Sequence, residues 1–124
     1  MELELNSREP IYVQIRNHIE MRILSGDIKE GERMPSVREY AGILKVNPNT
    51  IQRVYTELEN ENLICTQRGI GKFVTANQEE IKRLRITKSR EIFKEFIKNS
   101  ISMGFSKEEI LELISEIYEE EENE

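Results

Sequence analysis

Apolar residues recur with a changing period along this chain, and each change predicts a new element. Ile11, Ile15, Ile19 and Ile23 fall four residues apart, a stripe that predicts a first helix. Pro10 suits its first turn, where a missing N–H costs nothing. Gly26 suits the C′ position that ends it. A loop over 27–34 holds Gly31 and leads to Pro35. Val37, Tyr40, Ala41 and Leu44 then predict a short second helix. Ser36 is its candidate N-cap, and Glu39 three residues on completes a capping box. Lys45-Val46 forms a turn. Asn47 caps a third helix with Pro48 at its first position, and Ile51, Val54, Tyr55 and Leu58 make its buried stripe.

Residues 63–67 read as a short strand and Phe73-Val74-Thr75 as its return. Gly69 and Gly71 permit the positive φ angles of a tight hairpin. The helical period resumes near Gln78. Ile81, Leu84, Ile92, Phe93, Phe96, Ile97 and Ile101 predict a long helix ending at Gly104. Ser106 and Glu109 form another capping box, with Phe105 and Ile110 placed as a hydrophobic staple. Ile110, Leu111, Leu113, Ile114, Ile117 and Tyr118 line a last helix, and the 119–124 tail is mostly like-charged and frayed. No internal repeat is visible. The expected fold class is mainly α with a small β-hairpin. A winged helix-turn-helix spans 1–76, and two C-terminal helices occupy 77–124.

Composition narrows the class. Hydrophobic residues make up 37% and charged residues 34%, which fits short amphipathic helices better than one thick core. No apolar run approaches the ~20 residues of a membrane span. The acidic opening Met1-Glu2-Leu3-Glu4 lacks a signal-peptide pattern. A single cysteine, Cys65, cannot form an internal disulfide, so a cytoplasmic location is expected.

A net charge of −6 looks wrong for a nucleic-acid binder until it is divided. Residues 1–76 carry 10 basic and 11 acidic side chains, a net of −1, whereas 77–124 carry 8 and 13, a net of −5. Inside the reading unit the sign reverses. Residues 33–53 hold Arg33, Arg38, Lys45 and Arg53 against Glu39, and residues 64–75 hold Arg68 and Lys72 with no acid. Affinity for DNA depends on the charge facing phosphates, so the global value is a weak objection.

Two short helices followed by a basic hairpin describe a winged helix-turn-helix, which puts one helix into a DNA groove and a cationic loop beside it. Asn49, Thr50, Gln52 and Arg53 fall off the buried stripe at the N-terminal end of the third helix, where such folds reach base edges. Arg53 is equally placed to pair with Glu57 at i+4. Asn47 is first a cap, and its helix N-terminus also suits a phosphate. Arg68 and Lys72 flank the hairpin glycines, as wing residues that enter the minor groove or clamp its phosphates do. Gly69 is foremost a turn former that also lets the backbone approach DNA. His18 reads as a structural residue.

Other chemistries are poorly served. One histidine and one cysteine cannot build a zinc site of N/S ligands. No Ser–His–Asp or Cys–His arrangement and no phosphate-cradling loop is present, and Gly69-x-Gly71 is too short for a nucleotide fingerprint. No enzyme activity, metal or cofactor is expected.

The chain resembles the GntR family of bacterial transcription regulators, most closely its short YtrA-like branch. The resemblance covers roughly residues 8–76. It runs from Pro10-Ile11-Tyr12 through Pro35-Ser36-x-Arg38-x-x-Ala41 and Val46-Asn47-Pro48-Asn49-Thr50-Ile51-x-Arg53-x-Tyr55. It then takes in Leu58-Glu59 and Arg68-Gly69-x-Gly71-x-Phe73-Val74. Asn62 stands where the family often has Gly, and Tyr40 where it often has Leu.

The resemblance implies a homodimer reading an operator in double-stranded DNA, with repression the expected sign. It adds Ser36 and Arg38 to the DNA-contacting set, Arg38 through phosphate or a guanine edge. It also implies that the C-terminal helices handle dimerisation and perform any response to a small-molecule effector. Ile92, Phe93, Phe96, Ile97, Phe105, Ile110, Ile114, Ile117 and Tyr118 are the expected dimer interface, since two helices alone have no partner for so much apolar surface. An effector pocket is the competing use of that stripe, and the two are compatible. The alternative for the whole chain is a winged-helix protein-interaction module without specific DNA binding.

Overall fold

The computed structural model describes residues 3–75 and 77–124. They form α1 (Ile11–Leu24), α2 (Val37–Leu44), α3 (Pro48–Asn60), β1 (Ile64–Gln67), β2 (Gly71–Val74), α4 (Gln78–Ser102) and α5 (Lys107–Glu122). Every expected element is present, in the expected order. The Met1-Glu2 opening and the expected boundary at residue 76 fall outside the described residues. The chain divides into two compact units between Arg85 and Ile86. The division lies beyond 76 because Ile81 is buried in the core of the first unit and Leu84 packs against it.

That core is built mainly by α1 and α3. Ile15, Ile19 and Ile23 of α1 and Ile51, Val54, Tyr55 and Leu58 of α3 are completely buried. Ile11, the first member of the expected α1 stripe, is instead exposed. It borders an open hollow with the first turn of α3 and does not reach the core. Arg16 ties the two helices at their half-buried edge, pairing with Glu20, Glu57 and Glu61.

Turn chemistry places the wing. Asn62 takes a left-handed φ of +61° after α3, a conformation in which Asn is among the few tolerated non-glycine residues. Its N–H donates to the Glu59 carbonyl at 2.9 Å, and the Leu63 N–H donates to the Leu58 carbonyl at 3.0 Å. This paired closure delivers Leu63 into the core and starts β1. β1 and β2 then pair antiparallel from Ile64 opposite Val74 to Gln67 opposite Gly71.

Part of the expected loop 27–34 lies along β2, with an isolated bridge from Arg33 to Phe73. Gly31 N–H donates to the Val74 carbonyl, Val74 N–H to the Glu32 carbonyl and Met34 N–H to the Lys72 carbonyl, at 2.8–2.9 Å. The segment thus covers the outer edge of β2, while its Ile28 and Met34 are buried.

In the second unit, Gly104 closes α4 at φ +92°. Its N–H donates to the Ile101 carbonyl, and the Phe105 N–H to the Ser100 carbonyl. α5 begins at once with Ser106 as N-cap and a complete capping box with Glu109. Among the described residues of this unit only Ser100 and Ile110 are buried.

Candidate nucleic-acid interface

Capping fixes the two helices of the reading unit. The Ser36 hydroxyl accepts from the Glu39 N–H at 3.1 Å, and the Glu39 carboxylate accepts from the Ser36 N–H at 3.3 Å. Those hydrogen bonds from Ser36 hold the Glu39 carboxyl below its ordinary range. α2 stops at Lys45, which is left-handed at φ +57°, and the Val46 N–H donates back to the Ala41 carbonyl. Asn47 then caps α3, its Oδ1 accepting from the Asn49 N–H at 2.8 Å. Tyr55 Oη donates to the Pro35 carbonyl at 2.7 Å, tying the approach to α2 onto α3. Burial pushes the phenols of Tyr55 and Tyr40 up, so both stay neutral.

This scaffold displays most of the expected contact residues. Ser36, Arg38, Asn47, Asn49, Gln52, Arg53, Arg68 and Gly69 are exposed, and Thr50 is half-buried. They do not form one cluster. A cleft of about 340 Å³ brings Ser36, Gly69 and Lys72 together between the start of α2 and the hairpin. A second, of about 310 Å³, brings Asn49, Thr50 and Arg53 together with Ile11 and Tyr12. Arg38, Asn47, Gln52 and Arg68 line neither of these clefts.

Side-chain partners separate these residues further. No hydrogen bond or ion pair engages Arg38 or Arg68 among the described residues. The Asn47 oxygen is used by its cap. Gln52 makes a long 3.4 Å contact with Thr56. Arg53 lies over the Tyr12 ring, 3.5 Å from its centroid, with Glu57 at 3.8 Å. Lys72, expected at phosphate, is drawn toward α3, its ammonium meeting Glu59 of that helix and Thr66 of β1.

Two residues escape the sequence reading. Arg33 lines the first cleft, and its guanidinium lies along the wing: a Cβ added to Gly71 would sit 3.1 Å from Arg33 Nε. The signal was its place in the positive stretch before Pro35. Tyr12 was legible only as part of the helix opening, because its contact with Arg53 joins α1 to α3. His18 lies half-buried in α1, where burial lowers its pKa, in keeping with a structural residue. No group of metal-ligating side chains occurs among the described residues, and none of their helices is long and apolar enough to cross a membrane.

Comparison with known proteins places this geometry. Residues 11–74 match the model of the bacterial regulatory proteins of the gntR family. The chain is 40% identical over 112 residues to the HTH-type transcriptional regulator YhcF of Bacillus subtilis, covering 90% of this chain and 93% of that one. It is 36% identical over 118 residues to the HTH-type transcriptional repressor YtrA of the same organism, covering 94% and 91%. A GntR family transcriptional regulator from Listeria monocytogenes superposes with a TM-score of 0.79 at 37% identity, over 90% of this chain and 98% of that one. The AraR DNA-binding domain solved with its operator ORR3 is more distant, with a TM-score of 0.50 and 25% identity over 60% of this chain and 93% of that one.

Proposed function

The chain belongs to the gntR family of bacterial regulatory proteins, in its short YtrA-like branch, and from that premise we propose that it is a cytoplasmic, homodimeric repressor of a palindromic operator. Each subunit lays the first turns of α3 in a major groove and its wing alongside. Asn49, Thr50, Gln52 and Arg53 face base edges or backbone. Ser36, Arg38, Asn47, Arg68 and the Gly69 backbone meet phosphates, and Arg33 joins them beside Gly71 at the wing turn.

One observation carries the reading. Arg38 and Arg68 are exposed and without an intramolecular partner among the described residues, while the acidic residues nearest them by sequence are engaged. Glu39 is bound in its capping box and Glu61 to Arg16. The surface therefore offers guanidinium groups whose charge is not neutralised at short range.

The apolar stripe of the second unit supports the dimer. Ile92 is 71% exposed, Phe93 61% and Ile117 47%, and Phe96, Ile97, Ile114 and Tyr118 are exposed too. Large apolar side chains left exposed on two successive helices mark an interaction site. Phe105 is half-buried, and Ile110 is buried within its own chain. These two build the helical corner that presents the stripe. An effector would enter between the paired stripes, as a second use of the same surface.

The test is selection of random duplex DNA against the purified protein. Enrichment of a palindrome with half-sites about one DNA turn (~10 bp) apart or somewhat more supports the reading. No enrichment at low salt, with a folded protein, supports the interaction module instead.

A further inference from the structure

We propose that Glu59 is a positioning residue that braces the wing against α3 through Lys72, so that Lys72 orients the hairpin while Arg68 carries its charge to DNA. The inference deepens the proposed function and rests on it for the DNA contact alone. Thr66 and Lys72 are directly opposed in the hairpin register, so their side chains leave the same face. Lys72 Nζ donates to Thr66 Oγ1 at 2.7 Å and to the Glu59 carboxylate, and Thr66 Oγ1 donates to the same carboxylate oxygen at 2.8 Å. One oxygen on α3 therefore gathers both strands.

The Lys72 side chain is only 20% exposed, whereas Arg68 at the tip is exposed and unengaged among the described residues. A hairpin of two four-residue strands is marginal without support from its surroundings. Its outer edge is held by the backbone of residues 31–34, and the Glu59 contact adds a side-chain tether to α3. The hydrogen bond from Lys72 also holds the Glu59 carboxyl below its ordinary range, which keeps the acceptor ionised.

The experiment compares the full-length protein with its Glu59→Gln and Lys72→Met variants. Amide hydrogen exchange is followed without DNA, and the salt dependence of affinity is measured for the duplex selected from random DNA. Both variants should exchange the wing amides of residues 65–73 faster than wild type while the α1 and α3 core amides stay protected. Lys72→Met should weaken binding roughly threefold to tenfold, the equivalent of about one lost hydrogen bond, with an unchanged salt slope. A Lys72→Met slope lowered by about 0.9 would mark a phosphate contact and overturn the proposal, as would unchanged wing exchange in either variant. Wild type that binds no duplex would refute the DNA reading, and the exchange measurement would still decide the brace.

Discussion

Arg38 and Asn47 show how differently two polar residues of one reading unit can act. Arg38 is exposed and unengaged among the described residues, so its value lies in the complex. Arg38→Ala should weaken operator binding by about 1–3 kcal/mol in a gel-shift titration if it reads a base, leaving the unfolding curve in place. Asn47 satisfies the Asn49 N–H, so its value lies in the free protein. Asn47→Ala should cost about 1 kcal/mol in urea unfolding, and an unchanged midpoint would deny it the cap. Such caps are legible in sequence because donor and acceptor are two or three residues apart. The contact of Arg53 with Tyr12 is not, because the partners meet only when α1 packs on α3.

Among helices and strands, the termini carry the strongest expectations. The carboxyls of Glu39 and Glu109 are held low by Ser36 and Ser106. The unfolded chain, where these groups regain an ordinary value near 4.5, therefore binds more protons at acidic pH. Their contribution is complete above that value and is lost as pH falls through the lowered folded values. Thermal midpoints should fall on acidification below about pH 4.5, and the double variant Glu39→Gln, Glu109→Gln should flatten that fall. An identical pH profile in wild type and double variant would show that the boxes contribute nothing through ionisation. The wing depends on a residue without a side chain. Gly71 has φ +146°, and a Cβ there would crowd Arg33 Nε at 3.1 Å. Gly71→Ala should destabilise the wing by about 1–3 kcal/mol, seen as faster exchange of the β2 amides.

Assembly sets the remaining expectation. Phe93 and Ile114 are exposed apolar positions on α4 and α5, and neither belongs to the buried core of the first unit. In the proposed dimer, Phe93→Glu or Ile114→Glu should give a folded monomer in sedimentation equilibrium and abolish the concentration dependence of the thermal midpoint that dimerisation would cause. Binding to a palindrome should weaken with it, because the half-sites would then be read one at a time. A variant that remains dimeric would move the interface elsewhere.

Residues close in sequence were enough to specify the helices, their caps and the hairpin. The hydrogen bonds of the helices and their caps run over two to five residues, as at Ser36–Glu39 and Leu58–Leu63, the hairpin closes over a turn of three residues, and the apolar period repeats every turn. Packing decided the rest. Ile11 shares the period of Ile15 yet borders an open hollow, and Ile81 and Leu84 carry the first unit past residue 76. The segment 31–34 bonds along β2, with a single bridge between Arg33 and Phe73, because β2 offered it an edge. Lys72 reached Glu59, 13 residues away, only because the hairpin register turned its side chain toward α3. Register and edge pairing are set where non-adjacent surfaces meet, and no local pattern of residue types encodes that meeting.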